Sequence, residues 1–568
     1  MRKRQRRWRR AALVMALGLR TLAVAEDGQI VVSPQYGGTL NLGTVYVGLS
    51  ALSFDPYDWA WKVNHDAGMV YELLFAADLD QSVSRGGRYR FQSEGWLPPD
   101  AMRGELAESW EWEDPLTLVV HLRRGVRFTG KPGVMEAREL DAEDVVWSQQ
   151  RTASSPKASP GYYDHIERIE ARDAHTVVYR FKHFNSEWDL RSGYGYYAAI
   201  LPREMATVDS RNWRNIVGTG PFLLTRFVEG SSSTYQRNPD YWDRETIGGK
   251  AYAIPFVDQV IYRTIKDAAT QQTAIRTGKI DILEVVPWLA VDYLKETTPE
   301  LQWTRYLGST GEFIALRVDR EPFDDVRVRR ALNMAIDKRE IVEHYYGGNA
   351  ELFGYPMHPD FEGYYQPLEA MPPSVKELFT YDPVKAKKLL AEAGFPNGFR
   401  FKVQFAAVNY NHADLLPLIA GYLAKVGVTV EIEPMEYAAY LSAMTTKTHA
   451  EGYLLGSGVV NPVTSLRKSF RTGQIWNPSM WSDPDFDRRI TDADATRDET
   501  ERERKIKELN VEMLDQAPYI WLPTVYNYIA WWPWVKNYGG ELRAGAVRPA
   551  PIYARIWIDL KLKKDLGF

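Results

Sequence analysis

The spacing of apolar residues changes several times along this chain. In Phe401-Lys402-Val403-Gln404-Phe405 apolar and polar residues alternate, the period of two that a half-buried strand requires. Behind it Leu415, Leu416, Leu418, Ile419, Tyr422, Leu423 and Val426 recur at helical spacing, and Gly427 stops the run. Val428-Thr429-Val430-Glu431-Ile432 then reads as another strand. Strand, helix and strand at this spacing predict a βαβ unit, with parallel strands joined by a right-handed crossover.

Other helices carry their own start signals. Asp382 caps residues 381–394, Pro383 fills the first helical position, Leu389, Leu390 and Ala393 face inward, and Gly394 ends the element. Asp324-Asp325 caps a helix with Val328, Ala331, Leu332, Ala335 and Ile336 on one face. Asp141 precedes acids and an apolar run at Val145-Val146-Trp147, a third helix start. Residues 499–514 form a charged helix with Ile506, Leu509 and Met513 inward.

Strands are predicted over residues 37–43, over Thr117-Leu118-Val119-Val120-His121-Leu122, and over the tail at 552–562. Near the middle lies a cassette, Gly218-Thr219-Gly220-Pro221-Phe222 followed by Asn238-Pro239-Asp240-Tyr241-Trp242. It is turn chemistry around a strand pair. The two glycines permit positive φ, and the prolines set the turns at either end.

At 568 residues the chain is too long for one core, so two or three domains are expected. Its 45% hydrophobic and 25% charged residues are those of a folded protein. The first 25 residues read as a signal peptide. Seven basic residues between Arg2 and Arg10 precede an apolar run at 11–19, interrupted afterwards by Arg20, and Ala23-Val24-Ala25 offers a cleavage site. Its removal takes away eight positive charges and no negative ones, moving the net charge from −4 to −12. That balance argues against nucleic acid or an anionic membrane as the main partner. With no cysteine there is neither a disulfide nor a lipid-anchoring residue. A periplasmic protein, not lipid-anchored, is expected.

Catalytic motifs fail one by one. Gly218-Thr219-Gly220 has Leu223 where a dinucleotide fingerprint needs its third glycine. Gly456-Ser457-Gly458 does not complete a nucleophile elbow. The nine histidines show no ligand spacing. Aromatic residues, in contrast, are plentiful: 19 Trp, 33 Tyr and 21 Phe. Trp531-Trp532-Pro533-Trp534 reads as a packed surface between domains. The loop at 406–412 follows a parallel strand at its carboxyl end, where open α/β sheets bind ligands, and carries Asn409, Tyr410, Asn411 and His412. An exposed polar loop explains those residues equally well.

Taken in order, several segments carry a resemblance. They are Leu106-Ala107-Glu108-Ser109-Trp110; His121-Leu122-Arg123-Arg124-Gly125-Val126-Arg127-Phe128; Asp141-Ala142-Glu143-Asp144-Val145; the cassette; Pro255-Phe256-Val257-Asp258; Thr277-Gly278-Lys279-Ile280-Asp281; the Phe323 to Ala331 run; and the Lys387 to Gly394 run. Together they resemble the large extracytoplasmic solute-binding proteins of ABC importers, family 5, which take dipeptides, oligopeptides and nickel and include oligosaccharide binders. The resemblance implies an α/β fold of two lobes, of the type II periplasmic-binding-protein class, with a third domain inserted in the first lobe. The implied division is 26–58, 208–305 and 523–568 for lobe I, 59–207 for the insert and 306–522 for lobe II. It further implies hinge closure over a ligand, a permease in the inner membrane as partner, a monomer, no cofactor and no enzymatic activity.

One departure bears on the ligand. Peptide-binding members carry an acid in the C-terminal lobe that pairs with the ligand's α-ammonium. The matching stretch here is Leu455-Gly456-Ser457-Gly458-Val459-Val460-Asn461-Pro462, with Gly458 in the acid's place. A buried ammonium lacking that partner is disfavoured. This favours an oligosaccharide or another uncharged polar solute, with a di- or oligopeptide as the alternative. Candidate contacts are Tyr46, Trp288, Asn409, Tyr410, Ser457, Gly458, Asn461, Trp476 and Trp481. A secreted glycoside hydrolase is the rival from another class, and would need two carboxylates flanking a cleft.

Overall fold

The computed structural model describes residues 23–24, 30–31, 33–44, 53–58, 67–92, 96–156, 158, 161–407, 410–545 and 548–568. The signal-peptide reading therefore lies almost wholly outside the described residues. The chain forms two compact units. The first comprises residues up to 184, 188–305 and 528–568, and the second comprises 185–187 and 306–527. Strands Gln302–Leu307 and Thr524–Trp531 carry the chain across two of these boundaries.

The central sheet of the first unit runs in the order Phe222–Val228, Ser232–Arg237, Gln259–Thr264, Thr39–Thr44, Ile282–Val286, followed by the two boundary strands. Thr39–Thr44 is parallel to Gln259–Thr264, with Leu40 opposite Val260, and both residues are buried. A separate four-stranded antiparallel sheet is built from Ala107–Asp114, Thr117–Leu122, Ile166–Asp173 and Thr176–Phe181. Helix Ala142–Ala153 packs on it and begins at a reciprocal capping box, in which the Asp141 side chain accepts from the Asp144 N–H and Asp144 accepts from that of Asp141, each at 3.2 Å.

The cassette forms the expected strand pair, but its glycines serve a different purpose. Neither Gly218 nor Gly220 has a positive φ. A Cβ at either would lie 2.1 Å or 2.5 Å from the carbonyl oxygen of Val70, and Gly220 donates its N–H to that oxygen at 2.8 Å. Close approach of two backbones is what demands glycine there.

Two expectations for the tail are corrected. Residues 552–562 are not one strand but helix Ala550–Arg555, the two-residue strand Trp557–Ile558 and helix Leu560–Asp565. Pro551 sits in the first turn of one helix, and Asp559 caps the other by accepting from the Leu562 N–H at 2.9 Å. The tryptophan cluster is interior to the first unit. Trp532 and Trp534 stack with centroids 4.4 Å apart, and the Trp534 indole donates to the buried carboxylate of Asp281 at 2.8 Å.

The second unit holds a five-stranded sheet in the order Thr429–Met435, Arg400–Ala406, Gly452–Gly458, Thr310–Leu316, Tyr519–Trp521. The first three strands are parallel, and helix Tyr410–Ala424 makes the crossover between two of them. This is the βαβ unit the spacing predicts. Leu415, Leu416, Ile419 and Leu423 are buried, whereas Leu418 points to solvent. Helix Pro383–Glu392 has the expected Asp382 cap and proline start, with Ala386 and Leu390 its buried residues and Leu389 and Ala393 half-buried. Helices Val326–Met334 and Glu499–Gln516 also stand where their caps place them.

Candidate functional site

Parallel strands Arg400–Ala406 and Gly452–Gly458 end on the same edge of the second unit's sheet, the edge at which open α/β sheets take ligands. Strand Thr310–Leu316 begins at that edge, antiparallel to Gly452–Gly458. Thr310 lies opposite Gly458, Gly311 opposite Ser457, and Glu312 opposite Gly456.

Residues alternate between the two faces. On one face Gly311, Phe313 and Ser457 meet an aromatic core. Phe313 stacks on Tyr519 at 4.0 Å and on Tyr355 at 5.1 Å, and the Tyr355 hydroxyl bonds Ser469 Oγ at 2.8 Å. A Cβ at Gly311 would lie 2.2 Å from that of Tyr355, so this face is full. The opposite face, with Thr310, Glu312, Gly456 and Gly458, is different. A Cβ built at Gly456 would lie 2.9 Å from the Thr310 methyl with no other atom within 4 Å, so this face is less crowded than the other.

Glu312 stands on this face. Its Oε1 lies 3.0 Å from Nε2 of His412, a buried residue on helix Tyr410–Ala424. Its side chain keeps 20% of its accessible surface, and among the described residues Oε2 has no hydrogen-bond partner. Tyr345 and Tyr346 lie close enough to feel the carboxylate. Burial first, and then the charges of Asp414 and Glu312, raise the Tyr345 phenol, and burial with Glu312 raises that of Tyr346.

The sequence-based candidates fall in several places. Ser457, Gly458 and Asn461 do sit at the strand end, but with particular duties. Ser457 is buried on the aromatic face. The Gly458 carbonyl accepts from the Lys468 ammonium. Asn461 caps helix Pro462–Phe470, its Oδ1 accepting from the Thr464 N–H at 2.7 Å. Trp481 is a core residue, edge-on to Phe486 at 5.2 Å. Trp476 is 43% exposed on a loop whose carbonyls at Gln474, Ile475 and Asn477 accept from Lys447. Trp288 begins helix Trp288–Thr297 of the first unit and is half-buried. Tyr46 and Asn409 lie outside the described residues, as does the Tyr410 side chain.

Sequence reading passed over Glu312. The signal was present: one acid within Thr310-Gly311-Glu312-Phe313-Ile314-Ala315-Leu316, an otherwise apolar strand.

The first unit holds a second polar centre, entirely enclosed. Arg548 forms a bidentate pair with Glu105, and Glu105 accepts the Leu73 N–H at 2.9 Å. Glu72 lies alongside, its carboxyl accepting from the Trp242 indole of the cassette. Burial, then the Glu105 charge, pushes the Glu72 carboxyl up to about 8. This centre is sealed from solvent and braces the cassette.

With this geometry in hand, comparison with known proteins gives the class. Residues 101–474 match the family described as bacterial extracellular solute-binding proteins, family 5 middle. The chain belongs to that family. It is 29% identical over 465 residues to heme-binding protein A of Haemophilus influenzae, covering 76% of this chain and 81% of that one. It is 27% identical over 440 residues to a dipeptide-binding protein of Escherichia coli, covering 73% and 79%. Among solved structures, the periplasmic binding protein DppA of Helicobacter pylori, in complex with the peptide STSA, superposes with a TM-score of 0.72 at 24% identity, over 92% of this chain and 99% of that one. The two-lobed α/β fold and the role of a substrate-binding protein in an ABC importer follow from this membership.

Proposed function

We propose that this protein captures a short peptide in the periplasm and hands it, unmodified, to a permease of the inner membrane. The observation that carries the peptide reading is Glu312. The sequence favoured an uncharged solute because Gly458 stands where an acid is expected. A carboxylate does occupy the same face of the sheet, one strand away and opposite Gly456. An ammonium-bearing ligand therefore has a carboxylate to meet on that face. The names of the relatives favour peptides as well, including di/tripeptide-binding proteins of Pseudomonas aeruginosa at 27–29% identity, and the oligosaccharide reading finds no support in them.

A thermal-shift screen tests this reading. Saturating ligand stabilises a binding protein by several kcal/mol when its concentration is hundreds of times Kd. Di- and tripeptides should raise the melting temperature, and shifts produced by oligosaccharides alone would reverse the assignment.

A further inference from the structure

We propose that the cassette is held in place by a proton: Glu72 docks as an un-ionised carboxylic acid, and its ionisation releases the cassette from residues 70–74. The switch lies within the first unit and does not depend on which solute the protein carries.

Charge and geometry at the enclosed centre carry the inference. Glu72, Glu105 and Arg548 are all fully buried. One guanidinium therefore stands beside two carboxyls, and Glu105 takes both of its terminal nitrogens, one on each oxygen. What faces Glu72 is the Trp242 indole, a neutral N–H shared between its two oxygens at 3.0 and 3.2 Å. A neutral donor does not offset the cost of a carboxylate sealed from water, so Glu72 keeps its proton. The Glu105 charge adds to that preference, although burial is the larger cause.

Other charges nearby are already matched. Asp243, next to Trp242, pairs with Arg103 at 2.6 Å and Arg555 at 2.7 Å. Arg123 lies 4.3 Å over the Trp242 ring and donates to the carbonyls of Glu105 and Ala107. Burial, and then the Glu72 charge, keep the Tyr241 phenol un-ionised.

The cassette is tied to residues 70–74 at both ends. The Gly220 N–H donates to the Val70 carbonyl at 2.8 Å, and the Trp242 indole donates to Glu72. Asn238 Nδ2 bonds the Gly220 carbonyl at 2.9 Å and joins the two ends into one piece. When Glu72 loses its proton to solvent, two carboxylates face one guanidinium with no water to screen them. Parting of the cassette admits water and relieves the repulsion. The acid belongs to the docked form and the carboxylate to the released form, so rising pH favours release.

The test follows amide hydrogen exchange of the full chain by mass spectrometry from pH 6 to pH 9.5. Wild type is compared with Glu72→Gln at each pH, so the intrinsic pH dependence of exchange cancels. Peptides covering residues 68–75 and 216–222 should exchange alike in the two proteins at pH 6. Above about pH 8 the wild type should pull ahead, roughly tenfold by pH 9, while peptides of the second unit stay level. Glu105→Gln is the second variant. It removes the neighbouring charge and leaves the guanidinium to Glu72, so the onset of fast exchange should fall by at least about one pH unit. That arm keeps the switch testable if Glu72→Gln misfolds. Equal exchange in wild type and Glu72→Gln across the range, or an onset in Glu105→Gln no lower than in wild type, would overturn the switch.

Discussion

Trp242 donates its indole N–H to both carboxylate oxygens of Glu72, at 3.0 and 3.2 Å. Tryptophan at the end of the cassette is thus tied to a buried acid 170 residues earlier. The bond explains why a motif that looks like simple turn chemistry includes an indole: it satisfies a carboxyl that has no access to water.

Glu72 makes stability depend on pH. Its folded pKa, about 8, lies above the ordinary 4.5, so the folded state binds the proton more tightly. The resulting stability is fully present below about pH 4.5 and is lost as pH rises through about 8. Glu72→Gln removes this titration. Thermal melts at pH 6 and pH 9 should show a smaller drop for Glu72→Gln than for wild type, and parallel drops would refute the assignment.

Lys338 in the second unit has the opposite sign. It is buried and donates to the carbonyls of Asn333 at 2.5 Å and Leu378 at 2.8 Å. Burial brings its ammonium down to about 7 from 10.5. Here the unfolded state binds the proton more tightly, so stability rises with pH between about 7 and 10.5, by a few kcal/mol at roughly 1.4 kcal/mol per pKa unit. Denaturant titrations of Lys338→Met across that window should lack the rise seen in wild type.

Gly220→Ala should destabilise the first unit by about 1–3 kcal/mol, the usual cost of forcing a methyl into packed atoms. The Val70 carbonyl lies 2.5 Å from where the methyl would go, and it also accepts the Gly220 N–H. Urea denaturation monitored by tryptophan fluorescence measures the loss. An unchanged midpoint would mean the two backbones are not held this close.

Local signals account for most of what was legible in the sequence. The Asp141, Asp325 and Asp382 caps, and the alternation at 401–405, depend on neighbours within a few residues, and each element formed where those neighbours required it. In the tail the apolar residues at 552–558 suit a strand, but the prolines and the Asp559 cap decide in favour of helix. Glycine in the cassette was assigned to positive φ because the partner backbone at Val70 is nearly 150 residues away. The site suffered most from this limit. Gly458 signalled a missing acid, but the acid that stands beside it belongs to a strand paired only through the fold.

On the reading proposed above, the protein binds short peptides and leaves them intact. Mixing the protein with equimolar di- and tripeptides and oligosaccharides, isolating it by gel filtration and identifying the retained molecules by mass spectrometry tests this directly. Intact peptides at about one per protein, with no enrichment of sugar, are the expected result. Retention of oligosaccharide in their place, or recovery of cleaved products from either class, would contradict it.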